Sequence, residues 1–349
     1  MCKQCLLYFL DALISNRRTN QRSGAMPGLD LLAANLLSPI VMAFALGAIA
    51  GFVRSELELP EAVLKLISIY LLLSIGLTGG RELAQVRLAD VSALFATAAA
   101  LTVAIPVATY IVLRRLGGFD VANAAAVAAH YGSVSSVTFF AALSFARAME
   151  RPSEGYLTAV VALMEFAVII SLAIARWGKS RNSGTFRLGD MMLDTLCGRG
   201  ILLLTGGMTI GYVASDADWQ RIAPFYEHLF RGFLMLFLLE MGMTAARQIR
   251  QFAQVGVFMT GFAIVAPLIF GAVGLLTGWA LGLSQGGAFV LGAVCASSSY
   301  IDAPAACRAS LPEASPGIYL TASLGVTFPF NLMINLPLLF SASRWLYPQ

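Results

Sequence analysis

From about residue 36 onward the chain alternates long apolar blocks with short polar connections. The blocks run over 36–53, 60–79, 90–113, 121–146, 155–177, 197–214, 228–246, 255–282, 286–309 and 315–342. Most are near the ~20 residues that carry a helix across a hydrocarbon core, so the pattern predicts about ten transmembrane helices. A β-barrel needs segments of about ten residues with polar inward positions, and these unbroken apolar runs do not fit it. The expected fold class is an all-α polytopic membrane protein.

Composition sharpens this picture. The chain has 349 residues, 58% hydrophobic and 12% charged, about half the ~25% charge of soluble domains. Its mean hydropathy is +0.77. The net charge of +4 is spread over short loops and implies no nucleic-acid partner. No phosphate-binding glycine loop, zinc-type Cys/His spacing or nucleophile elbow occurs. Neither an enzyme nor a transition-metal site is expected, and no cofactor. Cys2 and Cys5 form a lone C-x-x-C; with Cys197, Cys295 and Cys307 they make no disulfide framework. The first 25 residues differ in texture, with cations after the apolar run rather than before it. The N-terminal extension at 1–35 is expected to hold either a dispensable stretch ahead of a start at Met26 or an interfacial helix.

The chain repeats itself. "ALGAIAGFV" (45–53) returns as "TGGMTIGYV" (205–213), "SIGLTGGREL" (74–83) as "EMGMTAARQI" (240–249), and "YLTA" at 156 as "YLTA" at 319. The offsets are 160, 166 and 163, and the order is kept. The expected organisation is a first five-helix repeat at 36–178, a cytoplasmic linker at 179–195 and a second repeat at 196–345. An odd number of helices per repeat inverts the second relative to the first, an architecture of secondary transporters. Lys and Arg are richer in the loops at 54, 114–115, 176–199 and 247–250. That bias places both termini outside the cytoplasm, in a bacterial inner membrane.

Within the fourth block, "HYGSVSSVTFF" (130–140) is densely polar. An offset of 163 carries it onto "AVCASSSYIDA" (293–303) in the ninth. Paired polar breaks at matching places are expected of two broken, crossed helices at a midplane binding site. A half-helix start offers N–H groups to an anion and a half-helix end offers carbonyls to a cation, without formal charge in the membrane. The candidate anion-binding residues are Gly132, Ser133, Ser135, Ser136, Thr138, Ser297, Ser298 and Ser299. Gly132 would permit close approach. Such hydroxyls also bond to their own helix or glue helices together.

Glu165 falls near the middle of the fifth block, where a carboxylate costs several kcal/mol and needs a partner or a role. It is either a sodium ligand or a protonated, hydrogen-bonded acid. Asp302 is a second candidate, as ligand or as cap of a half-helix ahead of Pro304. Asn331 is an amide ligand or marks an interruption of the last block together with Asn335. His130 reads as a structural histidine, and Glu240 as a structural acid near a helix end. Gly47/Gly51 and Gly207/Gly211 read as helix-packing pairs.

"IGLTGG" (75–80), "GSVSSVTFFAAL" (132–143), "LMEF" (163–166), "LEMGM" (239–243) and "ASSSYIDAPAACRASLPEASPGIY" (296–319) together resemble the sodium-dependent bicarbonate transporter family, over about 36–342. The resemblance implies a homotrimeric symporter of Na+ and bicarbonate with five-plus-five inverted helices. It also implies an elevator motion of a core domain against a scaffold domain. Some members are shut by a PII-like protein on the cytoplasmic face. Carried over, the two Ser-rich breaks would hold the anion, with sodium near Glu165, Asp302 and Asn331. Val137 stands where bicarbonate-transporting members have a hydroxyl, and the acid of the second break moves from the Tyr300 position to Asp302. Two residues on a helix are about 200° of rotation. A sodium/proton antiporter, a small-carboxylate symporter and an anion sensor without transport are the alternatives.

Overall fold

The computed structural model describes residues 35–165, 167, 170–171, 199–249, 256–300 and 303–348. Residues 1–34 of the expected extension, the linker at 179–195 and Asp302 lie outside them. Every regular element described is helical: α1 Pro39–Val53, α2 Glu61–Leu83, α3 Leu88–Arg115, α4 Val121–Gly132, α5 Ser136–Ala148, α6 Leu157–Met164, α7 Arg199–Val213, α8 Asp216–Ala223, α9 Phe230–Ile249, α10 Gly256–Ala280, α11 Gln285–Cys295, α12 Ala303–Ser310 and α13 Pro316–Leu346. Among the described residues, 6 helical stretches are long and apolar enough to cross a membrane. Pro39–Val53, Leu202–Val213 and Gln285–Cys295 are shorter apolar helices. Large apolar side chains such as Leu46, Leu66, Leu202 and Val257 are exposed, as a lipid-facing surface requires.

Side chains start the helices where the backbone needs acceptors. Ser38, Asp120, Ser135, Ser215 and Ser284 cap α1, α4, α5, α8 and α11 by accepting a backbone N–H of the first turn, the usual remedy for orphan donors. Two differences from expectation emerge. The connection at 215–227 contains α8, started by Ser215 with Asp216 and Asp218 in its first turn. The last block is not broken at Asn331. It stays helical and absorbs extra residues as two π-helical segments, Thr321–Thr327 and Asn331–Asn335, a form that concentrates at functional sites.

Two helix pairs pack closest. α1 lies on α9, where a Cβ at Gly47 would overlap the Leu239 carbonyl and one at Gly242 the Phe44 carbonyl. α2 lies on α7, where Gly80 meets the Met208 carbonyl and Gly211 the Leu77 carbonyl. The glycine pairs read as packing contacts do pack. A second group forms around the breaks, with α3 against α4 and α10 against α11. Pro267 inside α10 has no N–H for the carbonyl four residues back. Thr327 supplies the missing donor, its Oγ1 giving a 2.7 Å bond to the Ala263 carbonyl. The Tyr131 hydroxyl, 2.6 Å from Thr327 Oγ1, ties α4 into the joint.

Candidate functional site

The first polar stretch breaks the helix at 133–135, between α4 and α5. The second ends α11 at Cys295 and resumes as α12 at Ala303. The breaks touch. The Ser135 N–H donates to Ser297 Oγ (2.9 Å), and the Ser299 N–H donates to the carbonyls of His130 (2.7 Å) and Ser133 (3.2 Å). Each break thus satisfies backbone donors or acceptors that the other exposes, which buried backbone requires.

The candidate hydroxyls divide by what they already hold. Ser133 Oγ donates to Glu165 Oε2 at 2.6 Å, so the acid at depth has a partner and is joined to the first break. Ser135 Oγ accepts from the Thr138 N–H at 3.2 Å and caps α5. Ser297 Oγ donates to the Val294 carbonyl at 2.7 Å while accepting from Ser135, so it braces the crossing. Ser298 Oγ makes a long 3.4 Å bond to the Ser323 carbonyl in the first π segment. Ser299 Oγ accepts from the Ala303 N–H at 3.5 Å, a loose cap for α12. Gly132 ends α4 against the Pro106 ring, which an added Cβ would strike.

Four buried hydroxyls, those of Thr109, Thr138, Tyr300 and Thr321, have no hydrogen-bond partner among the described residues, and Thr138 and Tyr300 lie at the breaks. Thr138 Oγ1 has no hydrogen-bond partner, although Thr138 is 2% exposed. The Tyr300 ring packs on Phe328 at 5.0 Å; its hydroxyl lies toward Ser135 without meeting hydrogen-bond geometry. An unmet buried polar group costs about 1–3 kcal/mol, so each one calls for a partner. Tyr300 was visible in the sequence only as the replacement for an acid. A buried tyrosine needs a polar partner for its hydroxyl, and that was the available signal.

Asn331 turns its amide nitrogen to the Ala296 carbonyl (2.8 Å), the orphan acceptor at the end of α11. Its oxygen accepts from Asn335 Nδ2 (2.8 Å). His130 is fully buried, with Nδ1 on the Ala126 carbonyl (2.7 Å) and its ring on Tyr319 (4.5 Å). Its part in the crossing comes through its backbone carbonyl. Glu240, also buried, lies in the middle of α9 rather than near its end. A cavity of ≈ 250 Å³ lies beside the crossing helices, lined by Ser74, Thr78, Ser144, Arg147 and Thr158 among others. No group of three or more His, Cys, Asp or Glu with metal-holding geometry exists among the described residues.

No curated protein matches the chain. The sequence profile of the Na+-dependent bicarbonate transporter superfamily matches residues 39–344. That span takes in both breaks and nearly every helix described above, so the chain is a multi-pass membrane protein, not an enzyme, and belongs to the Na+-dependent bicarbonate transporter superfamily.

Proposed function

We propose that the protein is a sodium-coupled symporter of a small anion, bicarbonate first, held where α5 and α12 begin. The observation that carries this reading is the set of buried donors without a protein partner at the crossing, Thr138 Oγ1 and the Tyr300 hydroxyl. Ser135 takes the Thr138 N–H, and the remaining first-turn N–H groups of α5, from Ser136 and Val137, have no intrahelical acceptor. Together they form a donor-rich, uncharged receptor for an oxyanion at a helix start. Ser133 connects this receptor to Glu165. Sodium bound near Glu165 and the looser hydroxyls of the second break, Ser298 and Ser299, would then compensate the anion. Asp302 and the Asn331 oxygen are the further candidates for that cation.

The packing supports a ten-helix inverted repeat. Gly47 and Gly51 of α1 lie on α9, and Gly207 and Gly211, one repeat later on α7, lie on α2. Each repeat thus packs its first helix on the second helix of the other. On this reading α1, α2, α7 and α9 form a scaffold, and the remaining long helices carry the breaks as a movable core. The ≈ 250 Å³ cavity lies between the two groups, with α2 on one side and α5 and α6 on the other. Ser144 at its wall is about 12 Å along α5 from Ser136, by a 1.5 Å rise per residue. That suits an access path for an elevator motion.

Uptake of labelled bicarbonate into proteoliposomes tests the proposal. Inward sodium should drive uptake, and Glu165→Gln should abolish the sodium dependence while leaving a folded protein. Uptake indifferent to sodium, or unchanged in Glu165→Gln, rejects the mechanism. Flux that follows pH and ignores bicarbonate points to antiport instead.

A further inference from the structure

A second cavity, of ≈ 280 Å³, lies on the other side of α5 and has a different character. Its walls come from α1 and α9 on one side and α5 and α13 on the other, with Ile40, Ala141, Phe145, Met235, Leu332 and Leu336 supplying apolar surface. Its polar groups are few: Asn35, Ser38, Ser144 and Arg231. Asn35 Nδ2 is committed to the Leu332 carbonyl at 2.9 Å, and Ser38 Oγ accepts from the Val41 N–H at 3.3 Å. Arg231 is exposed and makes no ion pair among the described residues. No acidic side chain lines the cavity. α1 starts at its rim with no acid in the first turn, so the positive end of that helix dipole adds to the arginine.

An apolar slot capped by uncompensated positive charge fits neither water nor a small hydrophilic anion. It fits an amphiphile with an apolar chain and an anionic head. We propose that this cavity binds one acyl chain of an anionic phospholipid, with its phosphate at Arg231 and the start of α1. The occupant is drawn from the bilayer itself, which surrounds a polytopic protein on every side. This binding claim is independent of what the protein transports.

Native mass spectrometry of the full-length protein, taken from membranes doped equally with phosphatidylglycerol and phosphatidylcholine, tests it. Wild type should retain phosphatidylglycerol in preference. Arg231→Gln, a surface change, should lower that retention about five-fold, the effect of one cation at an anionic surface, and leave phosphatidylcholine unaffected. Ala148→Phe, at the exposed edge of the cavity, should lower retention of both by filling the space the chain occupies. Equal retention of the two lipids by wild type, or no change in Arg231→Gln, overturns the proposal. So does retention of a free fatty acid in place of phospholipid, or closure of this face by a second copy of the chain.

Discussion

Val137 stands where the family resemblance expects a hydroxyl, yet its side chain is 1% exposed and belongs to the apolar core. What position 137 can offer an anion is its backbone N–H, which no substitution but proline removes. Tyr300, the other departure, brings a hydroxyl toward Ser135 instead of a carboxylate. The two departures therefore trade a hydroxyl at 137 for one at 300 and take the carboxylate away from position 300. Thr138 tests this directly, because its oxygen has no protein partner to lose. Thr138→Val keeps the shape, so thermal unfolding should stay within a few degrees of wild type. Bicarbonate KM should rise about tenfold, the loss of one hydrogen bond to a charged ligand. Unchanged KM would remove Thr138 from the site. Asn331 gives the opposite pattern. Its amide nitrogen satisfies the Ala296 carbonyl, so Asn331→Leu should destabilise the protein by about 1–3 kcal/mol, measured by chemical unfolding in detergent.

The helices show the same logic at greater length. The two polar stretches stood out in the sequence because a continuous membrane helix has no use for so many hydroxyls. Their meeting was not readable, since Ser135 and Ser297 are 162 residues apart. The pattern of apolar blocks does not register α8, whose eight residues are too short and charged for a span. The Ser215-x-x-Asp218 pattern is nonetheless an N-terminal signature. In α13, Asn331 and Asn335 suggest an interruption, but the chain stays helical there as the π segment Asn331–Asn335. The Pro267–Thr327 joint gives a prediction for these elements. Thr327→Val should destabilise by about 1–3 kcal/mol, because it strands the Ala263 carbonyl. Adding Pro267→Ala restores an N–H to α10 and should recover part of that loss in a double-mutant cycle. Strict additivity would refute the joint.

Across the whole molecule, contacts that bridge the two helix groups decide whether one group moves. Glu82 at the end of α2 accepts the Gly155 N–H just before α6, which spans the proposed scaffold and core. Glu82→Cys combined with Gly155→Cys, joined by a short bifunctional thiol reagent, should arrest uptake, and cleavage of the linker should restore it. Full uptake in the joined protein would exclude an elevator motion between these groups. The native cysteines described, Cys295 and Cys307, are free and buried, and the experiment uses a background in which Cys2, Cys5 and Cys197 are replaced by Ser.

Read alone, the chain determined its class, most of its membrane segments, its glycine packing pairs and its two polar breaks. A hydrocarbon solvent makes each of these a local requirement: spans must be apolar, and every polar group inside them needs a reason. Only the tertiary structure decided which polar atoms hold the protein together. Ser297 braces because Ser135 meets it, Ser133 faces Glu165, and Asn331 closes α11. The hydroxyls of Thr138 and Tyr300 have no such bond among the described residues. Hydrogen bonds are short and directional, so a hydroxyl's role is set by whatever fold neighbour comes within about 3 Å of it, and sequence spacing carries no record of that neighbour.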